Sequence, residues 1–277
     1  MQFETHLLNE LHAFRYPGEN AQYSLIVSHG LGGHAGIYDR FCEHHAPKGV
    51  DIWCYDAPGH GRSTTNRPRG QWDMAEWAQA SRDFAKLAKQ KSGLPVFTLG
   101  SSLGVAAAIS ALNASDVTGA ILMGSGAVPG SALMDSRTGP WRSDDFKAVL
   151  EQMGRGLQLH IPTFFNFDED YGYSGAQKQK ELDPFNTWNY DLASWASLFQ
   201  YVPPVLPADN TKPVLYTAGS DDPHFPPAAL DAMAGTIGGP VQKKLFENSH
   251  HQLMLFETAP FSEAVHGFCT EIITAAN

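Results

Sequence analysis

The sequence lacks the features that mark nucleic-acid-binding and membrane-spanning proteins. Its 277 residues include 19 lysines and arginines against 29 aspartates and glutamates, a formal net charge of −10. Because binding to a phosphate backbone needs clustered positive charge, we expect no nucleic-acid partner. No apolar run approaches the roughly 18 residues that a membrane-spanning helix needs, so we also expect no integral membrane segment.

Cysteine is scarce as well. Cys42, Cys54 and Cys269 are widely spaced and form no C-x-x-C motif. An odd, scattered set of this kind favours neither a disulfide framework nor a zinc site, so we expect reduced, packed thiols and no bound metal. The first ten residues lack the cationic start and apolar stretch of a secretory signal. The sequence therefore predicts a soluble cytoplasmic protein.

Short apolar, β-branched runs predict buried strands. They lie at 24–28, 51–55, 96–99, 119–123, 213–217 and 242–246. Between them, amphipathic patterns predict helices, most clearly at 77–88, and a further helix is predicted at 261–272. This alternation predicts an α/β fold with a mostly parallel central sheet covered by helices on both faces.

The alternation stops between residues 128 and 209, where no convincing buried strand appears and aromatic residues are dense. We therefore expect one core built from residues 1–127 and 210–277. Residues 128–209 are expected to form a largely helical lid over the carboxyl edge of the sheet, and we call this segment the insertion.

Two features of the insertion bear on what it contacts. Its aromatic side chains are numerous enough to line an apolar pocket, although we expect about two thirds of them to pack the insertion onto the core. The acidic run Asp168, Glu169 and Asp170 is typical of a solvated loop.

Residues 100–104 read G-S-S-L-G between a predicted strand and a run of small residues at 105–109. A strand that turns sharply into a helix holds the middle serine, Ser102, in an exposed position above the sheet edge. Gly100 and Gly104 allow the strand and helix to approach closely. Ser102 is the candidate nucleophile.

Such a nucleophile needs hydrogen-bond donors for the oxyanion. The glycine-rich run H-G-L-G-G at 29–33 follows a predicted strand. We assign the backbone amides of Leu31 and Leu103 as these donors, the second because it follows the nucleophile. A phosphate-binding role for the run is disfavoured, since it contains neither G-x-x-x-x-G-K-[ST] nor G-x-G-x-x-G.

The acid and the base are expected at the ends of two later strands. Two aspartates follow the strand at 213–217. Asp222 is preferred to Asp221 because it lies far enough along the turn for its carboxylate to point back towards the active site. Two histidines follow the last predicted strand. His251 is the preferred base and His250 the alternative, which gives the chain order Ser, Asp, His.

Four motifs in this order resemble a known family. They are S-H-G-L-G-G-H-A-G-I-Y-D-R at 28–40, Y-D-A-P-G-H-G-R-S at 55–63, R-G-Q-W at 69–72 and L-G-S-S-L-G at 99–104. The chain resembles the α/β-hydrolase branch that contains monoacylglycerol lipases and lysophospholipases. The resemblance covers residues 24–125 and about 212–257, and leaves the insertion unmatched.

The resemblance implies an α/β-hydrolase fold with a catalytic triad of Ser102, Asp222 and His251. It also implies an oxyanion hole from Leu31 and Leu103, and a lid formed by the insertion. The implied reaction is hydrolysis of a small-molecule carboxylic ester with an apolar acyl group, such as a monoacylglycerol, a lysophospholipid or a small carboxylester, without metal or organic cofactor.

Other activities are compatible with the same core. A lactonase, thioesterase or aminopeptidase would use the same triad and differ in the lid. A non-catalytic ligand-binding protein on this fold usually lacks a triad member, and none is missing here.

Two positions depart from the family pattern. Val105 replaces a usual glycine, which predicts slightly different packing behind the serine, and Ser101 replaces a usual histidine, which weakens close analogy of substrate. His60, in the second motif, is expected to hydrogen-bond its own turn rather than to act in catalysis.

Overall fold

The computed structural model describes residues 3–153 and 155–276, and ten strands lie within them. They are β1 (Glu4–Leu8), β2 (Leu11–Tyr16), β3 (Tyr23–Ser28), β4 (Val50–Tyr55), β5 (Val96–Ser101), β6 (Val117–Met123), β7 (Gln158–His160), β8 (Asn189–Asp191), β9 (Val214–Gly219) and β10 (Val241–Phe246). Eight of these described strands form one sheet in the order β1-β2-β4-β3-β5-β6-β9-β10. β1 pairs antiparallel with β2, and β2 pairs antiparallel with β4. The other neighbouring strands of this eight-stranded sheet pair in parallel.

Helices connect and cover these strands. In chain order the described α-helices are α1 (Asp39–His45), α2 (Met74–Ser92), α3 (Val105–Ala111), α4 (Ala132–Thr138), α5 (Asp144–Met153), α6 (Phe167–Tyr171), α7 (Ala176–Lys180), α8 (Leu192–Gln200), α9 (Pro227–Ala234), α10 (Leu253–Phe256) and α11 (Thr258–Ala276). Capping residues fix several of their starts. Asp73 precedes α2 and accepts a hydrogen bond from the backbone of Ala75, which satisfies a donor of the first turn.

The core lies on both faces of the sheet because side chains alternate along each strand. On β3, Ile26 belongs to the cluster that includes side chains of α2 and α3, whereas Leu25 and Val27 belong to the cluster that includes side chains of α1 and α11. Every residue of β3, β5 and β9 is buried. This double burial explains their continuous apolar sequences.

The predicted fold class is confirmed: the sheet is mostly parallel and helices cover both faces. Strands lie at all six predicted runs. The prediction missed β1 and β2, which form the antiparallel edge of the sheet. It also expected strands that are mostly buried, whereas five of the six residues of β10 are wholly or partly exposed at the other edge, with Lys243 and Lys244 among them.

The insertion lies between β6 and β9 and contains α4 to α8. A largely helical segment without a convincing buried strand was expected there, and two three-residue strands, β7 and β8, pair antiparallel as a small separate sheet. Backbone hydrogen bonds attach the insertion to loops of the core. Asp191 N–H donates to the Gly70 carbonyl at 3.0 Å, and Thr187 N–H donates to the Gly32 carbonyl at 3.2 Å.

The three cysteines are buried and free, as expected. Within the described ranges, none of the helices has both the length and the apolar character that crossing a membrane requires. Over the same residues, no group of three or more histidine, cysteine, aspartate or glutamate side chains is arranged to hold a metal ion.

Candidate active site

Ser102 lies immediately after β5, at the start of a short 3₁₀ turn that leads into α3. Its φ of +51° is in the left-handed region, which is unfavourable for a residue with a side chain. The neighbouring glycines are required by close approach. A Cβ at Gly100 would collide with the Gly104 carbonyl, and a Cβ at Gly104 would collide with the Ser28 carbonyl. The predicted strand–turn–helix geometry is therefore present.

Asp222 and His251 form a buried hydrogen-bonded pair at the ends of β9 and β10. His251 Nδ1 lies 2.7 Å from Asp222 Oδ2 and donates to it, because a carboxylate oxygen can only accept. The other carboxylate oxygen, Oδ1, accepts hydrogen bonds from the backbone N–H groups of His224 at 2.8 Å and Phe225 at 2.9 Å. Burial alone would raise the pKa of Asp222, but the His251 hydrogen bond and these backbone donors hold the pKa below its ordinary value.

The alternatives left open by the sequence lie elsewhere. Asp221 is exposed, and its carboxylate accepts from the hydroxyl of Ser220. The His250 ring lies against Gly172 of the insertion, where a Cβ would collide with it. Neither side chain takes part in the Asp222–His251 pair, so the geometry favours the preferred acid and base.

The unpaired edge of the His251 ring faces the same cavity as Ser102. His251 is 2 % exposed, its Nε2 is buried without a hydrogen bond, and both residues line the cavity wall. Burial alone would lower the pKa of His251. The carboxylates of Asp170 and Asp222 outweigh burial, and the pKa lies above its ordinary value.

Leu31 and Leu103 line this cavity beside Ser102. Leu103 lies at the N-terminal end of the turn that continues into α3, where backbone N–H groups have no partner further back in the helix. The two residues assigned as oxyanion donors are therefore brought to the serine by separate loops of the core.

The loop that contains Leu31 is held by buried histidines. His29 Nδ1 donates to the Gly30 carbonyl at 2.9 Å, and His29 Nε2 accepts from Ala57 N–H at 3.0 Å. This arrangement needs a neutral ring, and burial lowers the pKa of His29 to about 4. His60 Nδ1 donates to the Pro58 carbonyl at 2.9 Å, which confirms the turn-bonding role expected for His60.

Tyr190, which the sequence did not single out as functional, joins the insertion to both loops. Its hydroxyl accepts from Gly32 N–H at 2.9 Å and donates to His60 Nε2 at 2.8 Å. The side chain is fully buried. The position of the loop after β3 thus depends on a side chain contributed by the insertion.

The cavity above Ser102 has a volume of about 350 Å³ and a mainly apolar lining. Four aromatic residues of the insertion contribute to it, namely Phe164, Phe165, Trp195 and Phe199. Aliphatic residues complete the apolar wall, among them Leu133, Met134, Leu198 and Met233. Arg137 and His224 are polar members of the lining. Most of the other aromatic residues of the insertion pack into or against a core cluster, as expected.

The expectation that Asp168, Glu169 and Asp170 form a solvated loop was wrong for the loop and for Asp170, although Glu169 is exposed and Asp168 partly exposed. The three residues lie on α6, and Asp170 is only 1 % exposed. Helical spacing explains the difference, because Asp170 lies three residues after buried Phe167 and shares its inward face. The i, i+3 spacing of Phe167 and Asp170 was the available signal. Asp170 Oδ1 lies 3.6 Å from His251 Nε2.

Comparisons with known proteins place this geometry in context. The family model Hydrolase_4, described as serine aminopeptidase, S33, matches residues 19–259. A monoglyceride lipase homolog of monkeypox virus is 33% identical over 96 residues, which span 33% of this chain and 33% of that protein. The chain therefore matches about a third of the length of this relative.

Solved structures match over nearly the whole chain. A thermostable carboxyl esterase from Bacillus coagulans, in complex with glycerol, has a TM-score of 0.75 at 17% identity and covers 98% of both chains. A monoacylglycerol lipase from Paleococcus ferrophilus has a TM-score of 0.72 at 20% identity, over 95% of this chain and 99% of that one. A soluble variant of the Saccharomyces cerevisiae monoglyceride lipase, in complex with a substrate analog, has a TM-score of 0.73 at 14% identity, over 95% and 94%. These likenesses show the α/β-hydrolase fold.

Proposed function

Because this chain belongs to the Hydrolase_4 family, described as serine aminopeptidase, S33, we propose that it is a serine hydrolase that cleaves carboxylic esters. One observation carries this proposal above the others. A serine at a positive φ and a histidine that is hydrogen-bonded to a buried aspartate line one apolar cavity. This combination supplies a nucleophile, a base and an orienting acid at one place.

In the proposed mechanism His251 Nε2 takes the proton of Ser102 as the hydroxyl oxygen attacks the acyl carbon. Asp222 fixes the ring through Nδ1 and stabilises the imidazolium. The backbone N–H groups of Leu31 and Leu103 donate to the oxyanion of the tetrahedral intermediate. The imidazolium then protonates the leaving alcohol, and water repeats the attack on the acyl-enzyme.

The cavity favours a neutral ester with an apolar acyl group. Binding of a hydrocarbon chain against its aromatic and aliphatic wall is favourable, because the chain is then removed from water. The volume of the cavity suits a small-molecule ligand. The carboxyl esterase and monoacylglycerol lipases among the similar structures agree with this substrate class. A monoacylglycerol or a short-to-medium carboxylic ester is the proposed substrate.

We assign residues 1–127 and 210–277 to the catalytic core and the insertion to a lid. The contacts of the insertion support this division, since it supplies aromatic walls to the cavity and a hydroxyl to the loop after β3. Substrate selection would then depend on the insertion, and the acyl-transfer machinery on the core.

A panel of p-nitrophenyl esters from acetyl to dodecanoyl, run beside 1-monoacylglycerols, lactones, thioesters and aminoacyl amides, tests the proposal. We expect the highest kcat/KM for an uncharged ester with an acyl chain longer than acetyl. A clear preference for aminoacyl amides would instead assign peptidase activity to the same site. Absence of hydrolysis across the panel would favour a ligand-binding role.

A further inference from the structure

A second carboxylate lies at the edge of the His251 ring opposite Asp222. Asp170 Oδ1 is 3.6 Å from His251 Nε2, and Asp170 is 1 % exposed. Both atoms are buried without a hydrogen-bond partner. A buried carboxylate oxygen without a donor is costly, so a nearby positive charge is needed to offset its desolvation.

The described surroundings of Asp170 supply few hydrogen bonds to its carboxylate. Its Oδ2 accepts one long hydrogen bond from Gln252 Nε2, at 3.3 Å. His224 Nε2 lies 3.7 Å from Oδ1, but this ring is partly exposed and burial lowers its pKa despite the attraction of Asp170. Lys180, on the next helix, is buried and its Nζ donates to Tyr171. Burial lowers the pKa of Lys180, and the charge of Asp170 opposes this change without a direct hydrogen bond.

The titratable groups around His251 come from three elements. Asp222 and His224 lie on the loop after β9, Asp170 lies on α6, and His250 precedes His251 on its own loop. The His224 and His251 ring centroids are 5.7 Å apart. Of these groups, the carboxylates of Asp170 and Asp222 are the ones that favour the protonated form of His251.

Resting on the proposed function, we propose that Asp170 is a positioning residue that stabilises the imidazolium form of His251 from its Nε2 side. At 3.6 Å the two atoms are too far apart for a hydrogen bond, so the Nε2 lone pair stays available for the Ser102 proton. Once that proton arrives, the imidazolium lies between two carboxylates, and all three side chains are almost fully buried. The attraction is strong there because the surroundings screen it weakly.

The proposal fits the balanced acyl-transfer step. The Ser102 oxygen forms its bond to the acyl carbon, the carbonyl electron pair moves to the oxyanion, and the serine proton moves to His251 Nε2. The same proton then leaves with the alcohol oxygen as the carbon–oxygen bond breaks. Asp170 accepts no proton in either step, and acts only through its charge.

The insertion would thereby contribute to the chemistry as well as to substrate selection. Asp170 belongs to α6, whereas the proposed triad belongs to the core. When the insertion occupies the position described here, the base binds its proton more tightly. Loss of the Asp170 charge should lower the pKa of His251 by about one unit, because an opposite charge within about 4–6 Å shifts a pKa by about that much or more.

The test compares Asp170→Asn with Glu169→Gln, which removes the same charge from an exposed neighbour on α6. The first measurement is the pH dependence of kcat/KM on the best p-nitrophenyl ester. We expect the acid limb to move about one unit lower in Asp170→Asn. The shift in Glu169→Gln should be less than a third as large.

The second measurement is an NMR titration of the His251 imidazole in the full chain, assigned by comparison with His251→Gln. It should show the same difference between the two variants whether or not the protein hydrolyses esters. An inactive protein would therefore refute the proposed function and leave this inference testable. A folded Asp170→Asn protein in which His251 titrates as in the wild type would overturn the inference. Asp170→Ser, which keeps a polar side chain, provides the same test if Asp170→Asn does not fold.

Discussion

The hydroxyl of Tyr190 lies 2.9 Å from the backbone nitrogen of Gly32, and this hydrogen bond connects the insertion to the loop that carries Leu31. The same hydroxyl donates to His60, so one buried oxygen holds two loops of the core. The proposed oxyanion donor at Leu31 is therefore positioned partly from outside the core.

Tyr190→Phe should destabilise the fold. It removes the partner of a buried N–H group and of the His60 ring, and we expect the free energy of unfolding to fall by about 1–3 kcal/mol. Denaturant titration measures this change. Tyr173→Phe is the matched control, because the Tyr173 hydroxyl bonds Gln179 on an exposed surface and its loss should cost less than about 0.5 kcal/mol. If the two variants have equal free energies of unfolding, the hydrogen bonds of the Tyr190 hydroxyl do not stabilise the fold by this amount.

The neighbouring aspartates and histidines provide matched pairs for the proposed acid and base. We expect His251→Gln to reduce kcat about a millionfold and Asp222→Asn about ten-thousandfold, since the first removes the base and the second only its orientation. His250→Gln and Asp221→Asn should stay within about twofold of the wild type. Steady-state kinetics on one ester decides between them. A large loss in His250→Gln with little loss in His251→Gln would reverse the assignment.

Part of this fold could be predicted from the sequence alone. The buried strands were predictable because a strand covered on both faces must be apolar along its whole length, as β3 and β5 are. The turn at Ser102 was predictable because its requirements are local. β1 was not, since all five of its residues are exposed or partly exposed and its polar and apolar side chains follow no regular alternation.

Asp170 and Tyr190 show where sequence reasoning failed. Asp170 is 81 positions from His251, and Tyr190 is 158 positions from Gly32. Neither contact follows from a local pattern, because both depend on how the insertion folds onto the core. The sequence preferred Asp222 to Asp221 but left both open, and the tertiary hydrogen bond to His251 favours Asp222.

A larger side chain at Leu133, on the cavity wall, should shorten the acyl chains that the protein accepts. In Leu133→Trp we expect kcat/KM for a dodecanoyl ester to fall at least about tenfold relative to an acetyl ester, because excluding even one methylene from an apolar pocket is worth about 1–3 kcal/mol. Ala132→Trp, at the exposed neighbouring position on α4, is the control and should leave this ratio unchanged. A ratio unchanged in both variants would place the acyl chain elsewhere.

Buried neutral histidines should make the fold sensitive to mild acid. Burial lowers the pKa of His29 from 6.5 to about 4 and that of His45 to about 3. Since the unfolded chain binds these protons more readily, their contribution to stability is complete above about pH 6.5. Below that pH, the contribution of each histidine to the free energy of unfolding falls by about 1.4 kcal/mol per pH unit until the pH reaches the pKa of that histidine in the folded protein.

Urea unfolding between pH 7 and pH 4.5 measures this loss. We expect the slope against pH to be shallower in His29→Gln by about one proton equivalent. His44→Gln, which replaces an exposed histidine, should keep the wild-type slope. If His29→Gln also keeps that slope, the ring is not held neutral by burial.

Covalent labelling with a fluorophosphonate tests the central claim most directly, because the reagent needs an activated serine and does not depend on the choice of substrate. Mass spectrometry of the intact protein should show one phosphonyl group per chain, and peptide mapping should place it on Ser102. Ser102→Ala, folded to the same extent, should remain unlabelled. A folded wild-type protein that stays unlabelled, or that is labelled at another serine, would contradict the assignment of Ser102 as the nucleophile.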